Sequence, residues 1–334
     1  GMVTSLGLDK GARAGAKSQL DDNSKSAMMK RLSMTQAAIK ELEGFQSASL
    51  SDPQRLNLEV VLYSLGQQTV APATFGLNSA VRPYRIFQQG GSYFSTPDFL
   101  NTAHTINTAA DADAYVARLN AFARNLRTDT AVQRDEAARG YLAPGWSLDL
   151  TLAQMRKLRD QPAASSSIVE SLVKRAAAKN VAGDWQGQAT AVVEKAIYPA
   201  LDEQIAAIEA RKGGTAAGDG IWRTPRGEEI YAAALKSATT TDMSADEIHA
   251  MGVEQVAEIS GQLDTILKAA GYGKGTIGER LAALNAEPSQ LYPDTAQGRS
   301  DLIAALNAEA KLMQAKLPQA FATIPDTPLE IRAV

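Results

Sequence analysis

Two histidines, His104 and His249, are the chain's only imidazoles. A zinc hydrolase site of the HExxH kind needs two histidines one helical turn apart. It also needs a glutamate to act as base on the metal-bound water. Neither histidine stands in such a context, so no metal ligand or catalytic residue is assigned. His249 follows Glu247 and Ile248 in the first turn of a helix. The simpler reading is a partly buried imidazole bonding across a helix junction, and the alternative is a cleft-lining residue beside a metal site built elsewhere. His104, in FLNTAHTIN, carries the same pair of readings. The absence of cysteine removes disulfides, thiolate metal ligands and cysteine nucleophiles together. No Gly-x-Ser-x-Gly elbow or ordered Ser-His-Asp set supports a serine hydrolase.

Three further groupings could recognise a ligand. Arg82-Pro83-Tyr84-Arg85 lies in a loop-like stretch, and paired guanidinium groups suit carboxylates through bidentate hydrogen bonds. Arg82, Tyr84 and Arg85, together with His249, are therefore the candidate substrate contacts. Gly273–Gly278 matches GxGxxG, but it follows a long helix rather than a strand and no βαβ unit surrounds it. A nucleotide cofactor is therefore not expected, and Gly271 and Gly273 read as helix-end and turn glycines. The junction from Thr239 to Glu247 gathers three threonine hydroxyls with Asp242, Asp246 and Glu247. Three β-branched residues in a row should stop one helix, and Ser244 with Glu247 forms a capping box that starts the next.

The elements that would position these groups are helical. Ser51-Asp52-Pro53 opens a helix carrying Leu56, Val60, Tyr63 and Leu65, and Thr96-Pro97-Asp98 is a similar start. Asp111 and Asp113 precede Tyr115, Leu119, Phe122 and Leu126. Helices follow near 150–158 and 168–178. A longer one runs from Asp184 to Gly213-Gly214, with a kink expected at Pro199. Beyond the junction, Ile248, Met251, Val256, Ile259, Leu263 and Ile266 form one stripe. A final helix carries Ile303, Leu306, Ala310, Met313 and Leu317. The only clear alternation is at Leu329–Val334, a candidate short strand. The expectation is an all-α, irregular multi-helix array over residues 1–334. It is read as one helical domain with sub-parts 1–180 and 181–334, and as truncated at its C-terminus.

A net charge of −3 with interspersed signs leaves no basic face for nucleic acid. No apolar run reaches the ~18 residues of a membrane span. No export signal opens the chain, and Gly1-Met2 reads as a tag remnant, so the compartment stays open between cytoplasm and export.

The stretch Gly227–Gly252, GEEIYAAALKSATTTDMSADEIHAMG, resembles the bacterial family known as domain of unknown function 885, whose members carry a Tyr-x-x-x-Leu helix, a Thr-Thr-Thr junction and a Glu-Ile-His-x-x-Gly helix start. Val3–Ser24, Asp113–Leu119, Gly140–Gly145 and Tyr198-Pro199-Ala200 resemble further family segments in order. The family resembles helical zinc metallopeptidases with an HExxH-type motif far downstream, and that motif is absent here. The resemblance implies the N-terminal half of such a fold, a wall of a substrate channel with a peptide as the possible substrate. It also implies zinc only in the full-length protein, held by a missing C-terminal half. The rival reading is a non-catalytic helical binding or scaffolding domain.

Overall fold

The computed structural model describes residues 1–45, 49–327 and 329–333. Among them the chain is all-α, with thirteen α-helices and no sheet. It divides into two compact units, Gly1–Met243 and Ser244–Val334. The boundary falls at the Thr-rich junction, so residue 180 lies inside the first unit.

The first unit is built around one long helix. After the short α1 (Met2–Ser5) come α2 (Lys25–Glu43), α3 (Asp52–Val70), α4 (Ser92–Thr102) and α5 (Ala109–Ala138). Thr108 caps α5, with Asp111 returning the bond to the Thr108 backbone. Tyr115, Leu119, Phe122 and Leu126 recur at helical spacing and are fully buried. They pack with α4 and with α6 (Gly145–Arg159), α7 (Ser167–Ala178), α8 (Trp185–Val192) and α9 (Tyr198–Lys212). At about 1.5–3 kcal/mol for each large apolar side chain withdrawn from water, this stripe is a main source of stability. A smaller cluster of Phe75, Leu77, Tyr141 and Ile230 seats α10 (Gly227–Thr239) on the chain that follows α3.

Prolines shape two helices through widened turns. The expected break near Pro199 is a π-helical turn at Val193–Ile197, joining α8 to α9. Pro199 has no N–H to close the previous turn and its ring crowds that turn's carbonyl, so the helix takes up an extra residue. A second π-helical turn, Ala71–Phe75, contains Pro72 and ends α3 at Gly76, which adopts φ 63°. Pro97, expected to start a helix, sits inside α4 instead. The start is earlier because the Ser92 N–H donates to the buried Asp129 carboxylate at 2.7 Å. That bond satisfies the N–H of the first helical residue, one of the end groups that a helix start leaves unpaired.

The second unit contains α11 (Ala245–Ala269), α12 (Ile277–Asn285) and α13 (Ala296–Lys316). The predicted capping box is present: the Ser244 N–H donates to Glu247 Oε2 at 2.8 Å, and the Glu247 N–H to Ser244 Oγ at 3.3 Å. Arg280 of α12 is nearly buried and donates to Asp264 of α11 at 2.8 Å. Gly273–Thr276 thus lies in a helix-to-helix connection, with Gly278 already inside α12. The short strand expected at Leu329–Val334 does not form over residues 329–333, and Val334 lies outside the described residues. Instead the Ile331 N–H donates to Asn307 Oδ1 and its carbonyl accepts from Asn307 Nδ2, both at 2.9 Å. One side-chain amide thus supplies both bonds that a neighbouring strand would have offered.

Candidate functional site

The first unit holds an open cleft of about 920 Å³ between α2, α3 and α10. Met28 and Leu32 line it from α2, and Leu56, Val60, Tyr63 and Gln67 from α3. The loop Asn78–Val81, the α10 residues Ala233 and Ser237, and Thr240 just past the end of α10 complete it. An apolar surface with a few dispersed polar groups, at this volume, is the usual character of a small-ligand or peptide site. Gln67, Asn78 and Ser237 have no side-chain hydrogen-bond partner among the described residues, so their polar groups are available to an occupant.

Thr240 gives the rim an unusual backbone. It ends α10 at φ 58°, a left-handed conformation that β-branched residues rarely adopt. The neighbouring hydroxyls are used locally. Thr239 Oγ1 donates to the Leu235 carbonyl at 2.9 Å, and Thr241 Oγ1 donates to Thr239 Oγ1 at 3.1 Å. The junction therefore acts as a helix stop, as its residue types suggest.

The four candidate substrate contacts take different places. Arg82 is exposed, with its guanidinium 5.8 Å from the centre of the Phe87 ring. Tyr84 accepts a hydrogen bond from Arg223 at 3.1 Å, and burial raises its hydroxyl pKa. Arg85 turns into the protein. Its Nε lies 3.3 Å from the Asp129 carboxylate, within ion-pair range but not aligned as a hydrogen bond, and its Nη2 donates to the Asn23 carbonyl. Arg85 therefore engages a carboxylate of its own chain. His249 is exposed and belongs to the second unit. None of the four lines the α2–α3–α10 cleft.

His104 is a structural residue. Arg118 Nη1 donates to its Nδ1 at 2.7 Å, and its Nε2–H donates to the Asp111 carbonyl at 2.9 Å, which fixes the neutral tautomer. Burial pushes its pKa down to about 4; the bond to Asp111 opposes this, and the charges of Arg118, Lys17 and Arg175 add to it. Both ring nitrogens are engaged, so it has none left for a metal. Arg118, itself 0% exposed, also donates to Thr4, Ala16 and Gln19, tying the N-terminal segment onto α5. Trp146 and Trp222 are exposed. Trp146 Nε1 donates to Asp219 at 2.9 Å, and the Trp222 ring covers the glycines just before it.

Among the described residues no cluster of three or more histidine, cysteine or acidic side chains could hold a metal ion. The profile of the family described as "Bacterial protein of unknown function (DUF885)" matches residues 1–334. The chain is a DUF885 protein. No curated protein matches it. Among solved structures, this DUF885 chain is similar to one described as the putative lipoprotein from Colwellia psychrerythraea, with a TM-score of 0.89 and 24% sequence identity. The similarity covers 99% of this chain and 58% of that one, so the present chain spans little more than half the length of its solved counterpart.

Proposed function

We propose that this chain is the N-terminal helical part of a hydrolase acting on peptide or amide bonds. In this reading the α2–α3–α10 cleft forms one wall of the substrate passage. The observation that carries it is the cleft itself, whose apolar lining and unpartnered Gln67, Asn78 and Ser237 suit the alternating apolar and amide groups of a peptide. A second feature supports a longer functional protein. Val253, Val256, Ile259 and Ile266 on α11 are each more than half exposed, an apolar stripe that a folded protein ordinarily covers. Both His104 ring nitrogens are engaged and no three-ligand cluster occurs among the described residues, so this reading assigns no zinc ligand to this chain. No step of the reaction is assigned to this chain.

The test pairs this chain with a longer gene product that contains it. Peptide hydrolysis is measured with and without chelator, alongside peptide binding by each protein. The expected result is metal-dependent cleavage by the longer product, together with weakened substrate binding when Ser237→Trp fills the cleft. If the longer product binds peptides but cleaves none, the protein is a binding domain and the hydrolase reading fails.

A further inference from the structure

The loop of residues 76–91 joins the end of α3 to α4, and its Asn78–Val81 stretch walls the cleft. It is held from below by the buried polar face of α5. The Arg85 backbone N–H donates to Glu136 Oε2 at 2.9 Å, and Arg139 donates to the Phe75 and Gly76 carbonyls at 3.2 and 3.3 Å. Glu136 is only 5% exposed. The charges around it are already committed. On the loop, the Arg85 guanidinium faces Asp129. At the C-terminal end of α5, Arg139 lies 3.2 Å from Asp135, and on α2, Lys25 also pairs with Asp135, at 3.1 Å. Glu136 is thus a buried carboxyl whose one hydrogen bond comes from a neutral backbone amide. A buried carboxylate without its own counter-ion is costly when ionised.

We propose that Glu136 is a proton-operated brace for the cleft-lining loop: protonated, it ties the backbone at Arg85 to α5, and ionised, it draws in water and lets the loop open. Burial is the main cause that pushes its pKa up to about 7, against the opposing Arg85 amide and the charges of Arg85 and Arg139. An opened loop would return the carboxyl to its ordinary value of 4.5. Opening should therefore rise by roughly seventyfold between about pH 5 and pH 8, and level off above that. The brace concerns how the loop is attached, and it stands whether or not the cleft receives a peptide.

The test is amide hydrogen exchange of residues 76–91 across that pH range, corrected for the intrinsic pH dependence of exchange. The expected result is a loop opening constant that climbs and then saturates in the native protein, and stays flat in Glu136→Gln. Carboxyl carbon NMR on the native protein gives an independent reading that needs no variant: one glutamate should titrate near neutral pH. A flat native profile, an equal rise in Glu136→Gln, or no glutamate titrating above about pH 6 would each overturn the proposal.

Discussion

Glu136 and His104 should oppose each other in the pH dependence of stability. Glu136 has a folded pKa of about 7 against 4.5 when exposed, so the folded chain holds a proton that the unfolded chain releases. Its contribution is fully present below about pH 4.5 and is lost as pH rises through about 7. His104 has a folded pKa of about 4 against 6.5, so the unfolded chain binds the extra proton. Its contribution is present above about pH 6.5 and is lost as pH falls through about 4. Each shift spans about 2.5 units, at about 1.4 kcal/mol per unit, giving an upper limit of ~3.5 kcal/mol for each group. Between about pH 4.5 and 6.5 the two slopes have opposite signs and nearly cancel. Glu136→Gln keeps an acceptor for the Arg85 N–H and removes the titration. The stability of the native protein minus that of the variant should therefore fall by about 1–3 kcal/mol from pH 4.5 to 7.5, measured by urea unfolding at unit steps of pH. A difference that stays constant over that range would refute the reasoning.

Two other perturbations test the frame around the cleft. Arg118→Met leaves Thr4 Oγ1 and His104 Nδ1 buried without donors, and should cost about 2–4 kcal/mol net of the relieved arginine burial. Limited proteolysis should then cut the first twenty residues faster, and equal resistance would show that Arg118 is not the tie. Thr240→Gly relieves a left-handed β-branched residue at the end of α10 and should raise stability by about 1 kcal/mol in thermal unfolding. Loss of stability there would mean that the Thr240 side chain contributes more than its backbone strain costs.

Much of the helical frame can be read in the residues, and the cleft cannot, for a reason visible in two helices. Tyr115, Leu119 and Phe122 on α5 are spaced four and three apart, as are Leu56, Val60 and Tyr63 on α3. The first three are fully buried; the second three are exposed, and α3 has no buried residue. Periodicity shows that a helix has an apolar face, not whether another element covers it. On α5 that face meets α4, α7 and α9, while α3 packs mainly on α2 and turns its stripe to the open cleft. α2 itself, with Met28 and Leu32 as its buried residues, carries too narrow a stripe to be singled out by pattern alone. Arg85 shows the same limit in charge. Its residue type suggests a carboxylate partner of a substrate, and the carboxylate it faces in the fold is Asp129 on α5, which residue type alone does not distinguish from a substrate contact. A cleft wall differs from a core by the absence of a third layer, and that absence is a property of topology that no local run of residues encodes.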